Sequence, residues 1–287
     1  MSVLTSAEIR IRDPFIHCEN GSYYLVAAEA AEPGKRSPGV QIYESDDLAR
    51  WSRPRTVFTV PAEWDCSAVW APELHRFGDA YYLFATLNFD RTFPEGTPVL
   101  DGKTSRGTWV LKSKNLFGPY EPMRTRSHTP QEWLALDGTL YVENGVPYMV
   151  FCHEWCQVTD GTMEAVRLKD DLSGPDGEPF TLFRASAVSD TRDAFHIADG
   201  PFLYRGRLDG SLNMIWSTFM KRSGYCEVNT KSRGGTIEGP WDEHAVIFRE
   251  NGGHGMIFTD KSGNRQLVIH QPNTQFDERL RIIPFNM

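Results

Sequence analysis

No long apolar run occurs in the chain. The longest stretches, such as Tyr81 to Ala85, fall far short of the ~20 residues that cross a bilayer, so a membrane partner is not expected. No basic run occurs either. Lys and Arg number 30 against 38 Asp and Glu, a net charge of -8, and nothing in the chain would neutralise a phosphate backbone. Nucleic acid is therefore excluded as a partner. Cysteine is scarce and odd in number (Cys18, Cys66, Cys152, Cys156, Cys226). The opening MSVLTSAEIRIRDPF shows no apolar stretch behind a basic head. Together these point to free thiols, a reducing compartment and a cytoplasmic protein. No linker or low-complexity segment interrupts the sequence, so residues 1–287 are expected to form one domain.

What the chain does contain is a repeat. Five segments share a pattern: DPFIHCENGSYYLVAA from Asp13, APELHRFGDAYYLFAT from Ala71, DGTLYVENGVPYMVFC from Asp137, DGPFLYRGRLDGSLNMIWS from Asp199 and HGMIFTDKSGNRQLVIH from His254. Their leading positions stand 58, 66, 62 and 55 residues apart. Each unit reads as a short strand, a turn with Gly, Asn or Asp, and a strand rich in Tyr, Leu, Val and Phe. A third, exposed strand follows, and Phe58 and Phe248 suit a fourth. Small twisted sheets repeated at this period must stack on one another around an axis. The expected fold is all-β, a five-bladed β-propeller with four-stranded antiparallel blades around a central tunnel. The leading residue of each unit would begin an innermost strand and face that tunnel.

Three of the five leading positions are acidic: Asp13, Asp137 and Asp199. A single Asp there reads as a turn or strand-start residue capping backbone amides. Three at one register converge on the axis, where like charges destabilise the fold unless a substrate, metal or proton uses them. The chemistry suited to such a set is glycoside hydrolysis. One carboxylate activates water, a protonated carboxyl supplies the leaving oxygen with its proton, and a third carboxylate raises the acid's pKa by repulsion.

The sequence resembles glycoside hydrolase family 43, over nearly its whole length. The resemblance is carried by Arg12-Asp13-Pro14-Phe15, Trp70-Ala71-Pro72-Glu73-Leu74-His75, Leu136-Asp137-Gly138-Thr139-Leu140, Asp199-Gly200-Pro201-Phe202 and Gly253-His254-Gly255, in that order and at blade spacing. It implies an inverting, exo-acting hydrolase of arabinofuranosyl or xylosyl groups on plant-derived oligosaccharides, with Asp13 as general base and Asp137 tuning the acid. The family usually carries Glu-Gly-Pro where this chain has Asp199-Gly200-Pro201. The acid is therefore either Asp199 or Glu154, which lies between His153 and Trp155 in surroundings expected to be apolar. An unexported enzyme would meet small imported oligosaccharides.

By the same resemblance His254 supports a metal ion or water cluster in the tunnel, with calcium the usual candidate. A lone imidazole is a poor calcium ligand, so such an ion would be held mostly by water, and no cofactor is required for the chemistry. Zinc at Cys152, His153 and Cys156 lacks a second Cys/His pair. Trp70, which lines the pocket in the family, and Trp155, at the end of a second strand, are candidate sugar platforms. Arg12 and Arg192 are candidates for hydroxyl recognition. Oligomeric state is not legible. A retaining fructan or sucrose hydrolase would need an Asn-Asp-Pro nucleophile motif, which is missing. A glycoside phosphorylase would need a basic cluster beside the inner strands, and none is seen. A catalytically silent glycan-binding propeller is kept open by the Asp at position 199.

Overall fold

A computed structural model describes residues 3–29, 39–89, 105–190 and 195–287. Five antiparallel sheets follow one another along the chain and form the expected five-bladed propeller. Blade 1 comprises Phe15–Glu19, Ser22–Ala28, Gly39–Ser45 and Arg55–Thr59. Blade 2 comprises Cys66–Phe77, Ala80–Phe89, Ser105–Ser113 and Glu121–Pro122. Blade 3 comprises Ala135–Glu143, Val146–His153, Thr162–Arg167 and Phe180–Arg184. Blade 4 comprises Asp199–Arg205, Leu212–Met220, Gly224–Ser232 and Trp241–Phe248, so Phe58 and Phe248 do lie on fourth strands. Blade 5 has Gly253–Thr259, Arg265–Gln271 and Arg279–Pro284. Its fourth place is taken by the start of the chain, where Arg10 bridges Arg279 and the Ile11 amide donates to the Glu278 carbonyl at 3.3 Å. The two ends of the chain thereby close the ring.

The turns between first and second strands explain how the hairpins form. Asn20-Gly21 and Asn144-Gly145 both take positive φ at both positions, as a two-residue turn matched to strand twist requires. Each second strand is then a nearly continuous apolar run, because neighbouring blades cover both of its faces. Leu25, Val26, Leu83, Phe84, Val150, Phe151, Ile215, Trp216, Val268 and Ile269 are fully buried. Third strands are buried too, as in Thr162–Arg167, where only Arg167 is exposed. The expectation of exposed third strands was wrong for the same reason: stacked blades leave only their outermost strands open to solvent. Among the described residues no helix is long and apolar enough to cross a membrane.

Candidate active site

The inner strands share one backbone device. Asp13, Ala71, Asp137, Gly200 and His254 all adopt left-handed φ, at 53, 41, 56, 55 and 50°. In blades 2 to 5 a register shift accompanies it, between Trp70 and Glu73, Leu136 and Thr139, Asp199 and Phe202, and Gly253 and Met256. Such a bulge re-aims the side chains next to it. Asp and His tolerate this backbone better than most residues but still pay ~1–2 kcal/mol, and strain of this kind gathers at functional sites.

This register corrects the sequence alignment in blade 4. The left-handed residue there is Gly200, so Gly200-Pro201-Phe202 sits where Asp13-Pro14-Phe15 sits in blade 1. Asp199 stands one residue earlier, at the place of Arg12, Trp70, Leu136 and Gly253. Matching on acidic residues had hidden the shift. The glycine is needed, since a Cβ on it would lie 2.7 Å from the His254 ring.

Despite that offset, Asp13, Asp137, Asp199 and His254 meet at one end of the axis, lining a cavity of about 600 Å³. The Phe15 ring packs 5.2 Å from His75 and 6.3 Å from Phe202, so rings from non-adjacent blades meet around the axis.

His254 is the hub. Its Nδ1 lies 3.1 Å from Asp13 Oδ1 and 3.8 Å from Asp137 Oδ2. Burial works against a charge on this ring, but Asp13, Asp137 and Asp199 outweigh it and raise its pKa. Burial also pushes Asp13 up, yet His254 and Arg12 more than reverse this and hold it below the usual carboxylate range. Burial foremost, then repulsion from Asp199 and Asp13, pushes Asp137 up to about 8 against the pull of His254. Asp199 is raised as well, chiefly by burial and despite His254 and the Tyr225 hydroxyl, which donates to its Oδ2 at 3.0 Å. Asp137 is anchored at both ends: its amide donates to Thr86 Oγ1 at 2.9 Å, and its Oδ2 accepts the Gly200 amide at 3.2 Å. Three carboxyls are therefore divided, one held ionised and two held toward the protonated form.

His270 supports Asp13 without adding charge. Its Nδ1 accepts the Asp13 amide at 3.2 Å and its Nε2 faces Asn273 Oδ1 at 3.2 Å, which assigns the neutral tautomer protonated on Nε2. Burial brings its pKa down to about 4.

Glu154 lines the cavity, but its surroundings are not the apolar ones expected. Arg106 Nη1 lies 3.1 Å from Oε1 and 3.0 Å from Oε2. The same guanidinium stands 4.8 Å from the centre of the Trp70 ring, which is 39% exposed at the cavity. Trp155 also lines the cavity, as the first residue of a short helix, Trp155–Val158, and not as a strand end. Arg12 reaches the cavity while braced by Glu278 at 3.2 Å, with Asp13 3.7 Å from its Nε. Arg192 lies outside the described residues. His254 occupies the axial place expected of it, but its Nδ1 is directed at carboxylates. Among the described residues no group of three or more His, Cys, Asp or Glu side chains is placed to hold a metal ion. This donor set does not fit a directly held calcium ion.

Tyr225, His270 and Glu227 were missed by sequence reasoning. Tyr225 and Glu227 stand on a third strand, and His270 lies late in a second strand, places that look peripheral until blades are stacked. The one available signal was the acid in the apolar stretch Tyr225-Cys226-Glu227-Val228.

Splitting an acetal calls for a carboxylate and a carboxylic acid, and at this end of the ring one carboxyl is pushed down in pKa while two are pushed up. That chemistry is the work of a glycoside hydrolase. Residues 7–286 match the family model described as glycosyl hydrolases family 43, and the chain belongs to that family. It is 21% identical over 281 residues to the extracellular exo-α-(1→5)-L-arabinofuranosidase ArbA of Cellvibrio japonicus, covering 91% of this chain and 74% of that protein. Over 155 residues it is 23% identical to the extracellular endo-α-(1→5)-L-arabinanase 1 of Bacillus subtilis, covering 50% of this chain and 44% of that one. The crystal structure of endo-arabinase from Bacteroides thetaiotaomicron matches with a TM-score of 0.85 and 31% identity, covering 99% of this chain and 97% of its own. These relatives overturn the cytoplasmic expectation, since both curated ones are extracellular by name. That expectation leaned on where the sequence begins and on free thiols. Cys152, Cys156 and Cys226 are buried, and a buried thiol says little about compartment.

Proposed function

We propose that the protein is an inverting hydrolase of α-L-arabinofuranosyl linkages in plant-derived glycans, releasing single sugars from chain ends. The observation that carries the mechanism is the meeting of three carboxyls at one imidazole, with the pKa of Asp13 held down and those of Asp137 and Asp199 pushed up. Asp13, ionised, takes a proton from the water whose oxygen attacks the anomeric carbon. The bond to the leaving oxygen breaks as that oxygen receives the proton of Asp199, and the sugar departs with inverted configuration. Asp199 is the donor because Asp137 is only 6% exposed and committed to the Gly200 amide, whereas Asp199 is more open. Repulsion from the ionised Asp13 helps to keep the proton on Asp199, and Asp137 holds the Gly200 amide beside it. Glu154 is assigned to scaffolding: with Arg106 it backs the Trp70 ring, against which a sugar face packs. Trp155 adds a second apolar wall, and Arg12 reaches sugar hydroxyls. The whole propeller acts as one catalytic domain, and no step runs through a metal.

The arabinofuranosyl assignment and exo action draw on the likeness to ArbA across 91% of the chain. A second reading, internal cleavage, is favoured by the 31% identity to the Bacteroides endo-arabinase. Digestion of linear α-(1→5)-arabino-oligosaccharides, followed by proton NMR from the first turnovers, tests both. The proposal expects monomeric arabinose appearing first as the β-anomer. Early α-anomer refutes inversion, and early internal fragments replace exo action with the second reading.

A further inference from the structure

The inner strands are stitched to the blade before them by a repeated pattern. The amide of the left-handed residue donates to a side chain late in the preceding blade's second strand: Asp137 to Thr86, His254 to Ser217 at 2.7 Å, and Asp13 to His270. Where the next amide also finds a side chain, it lies on the third strand, Gly138 bonding Thr108 and Gly255 bonding Glu227. Register makes Val40, Thr108, Met163, Glu227 and Leu280 equivalent across the five blades. Four of these are apolar or a small hydroxyl. The fifth is a carboxyl with 0% exposure, so it cannot touch a substrate.

Glu227 Oε2 accepts the Ser217 hydroxyl at 2.8 Å and the Gly255 amide at 3.2 Å, while Oε1 has no hydrogen-bond partner. Burial raises its pKa to about 7 against the pull of these bonds and of His254. A buried carboxyl with an idle oxygen destabilises the fold, and packing alone does not call for it, since Met163 fills the same place in blade 3. What Glu227 adds is a grip on both sides of His254: directly on Gly255, and through Ser217 on the His254 amide.

We propose that Glu227 is a positioning residue for the reaction, holding the His254 imidazole against Asp13 through Ser217 and the Gly255 amide. This rests on the reading of Asp13 and His254 given above. The test compares Glu227→Met, which keeps length and loses both acceptor bonds, with Glu227→Gln, whose amide oxygen keeps them. Glu227→Met should lower kcat roughly 10- to 100-fold, the usual scale for residues supporting a site from behind, with KM within about threefold. Glu227→Gln should restore kcat to within about threefold of the parent. A folded Glu227→Met with unchanged kcat overturns the proposal, as does a Glu227→Gln equally slow. If Glu227→Met does not fold, Ser217→Ala takes its place, with a roughly tenfold loss of kcat expected and an unchanged kcat overturning the proposal. Nitrogen NMR of His254 needs no turnover and so separates this proposal from the assignment of Asp13: its Nδ1 resonance should move in Glu227→Met and stay in Glu227→Gln, and a resonance fixed in both refutes the positioning role.

Discussion

Replacing His254 by Asn tests the electrostatic hub most directly. Asn tolerates the left-handed backbone at this position, and its amide can still bond Ser217, so the change removes charge with little disturbance of the chain. His254 Nδ1 stands 3.1 Å from Asp13 Oδ1, a separation at which an ion pair is worth about 5 kcal/mol at an effective dielectric near 20. At 1.36 kcal/mol per pKa unit that sets a ceiling of about four units. Arg12 remains, 3.7 Å from the same carboxylate, and water filling the vacated space screens what is left. A rise of roughly one to two units in the pKa of Asp13 is therefore expected. The sign follows from the role: Asp13 works ionised, so a higher pKa leaves it protonated where the parent is active. The acid limb of kcat/KM, measured on an activated aryl arabinofuranoside, should move to higher pH by that amount. The alkaline limb, which reports Asp199, should also move up, because His254 pulls the pKa of Asp199 down as well. An acid limb that stays in place, or moves to lower pH, refutes the hub.

Asp13→Asn should retain sugar binding and lose roughly 10²–10⁴ in kcat, the usual scale of general-base loss; turnover at the parent rate removes Asp13 from the mechanism. Asp199→Asn should depress cleavage of natural oligosaccharides far more than that of dinitrophenyl arabinofuranoside, whose leaving group needs no proton, and should erase the alkaline limb. Glu154→Gln should slow both substrates alike by loosening Arg106; if it shows the leaving-group contrast instead, the acid is Glu154. Trp70→Ala should raise KM about tenfold, or ~1.4 kcal/mol, with kcat nearly unchanged, and an unaltered KM in a titration of oligosaccharide would remove Trp70 from the sugar site.

Much of this site was legible because a propeller writes its symmetry into the sequence. Asp13, Asp137 and His254 stand at equivalent places in their repeats, and one backbone device points each toward the axis. Asp199 was found for a partly wrong reason: it was matched to Asp13 as an acid, whereas the backbone equivalent of Asp13 is Gly200. Contacts between blades were harder to see. Nothing local to Glu154 announces Arg106, 48 residues away on another blade, and that pairing changes what Glu154 can be used for. Likewise His270 lies late in an apolar strand with no visible partner, until ring closure brings it against Asp13, 257 residues distant. Periodicity reports which elements exist, but the partners of a buried polar group depend on how those elements stack.

The five junctions also show how a symmetric scaffold comes to hold an asymmetric site. Thr86, late in the second strand of blade 2, accepts the Asp137 amide with its hydroxyl, and Ser217 does the same for His254. Blade 3 has Cys152 at this place, a poor acceptor, and there the Gly200 amide turns to Asp137 Oδ2 instead. That single departure ties an acid of blade 3 to the backbone carrying Asp199, so the two carboxyls with raised pKa are joined through the chain as well as through space. The opposite departure occurs between blades 5 and 1, where His270 replaces the hydroxyl and accepts the Asp13 amide while staying neutral. A charged group there would compete with His254 for Asp13; a neutral one fixes the backbone and leaves the carboxylate to the His254 ring. The division of labour among Asp13, Asp137 and Asp199 therefore depends as much on which side chains lie late in the second strands as on the acids themselves.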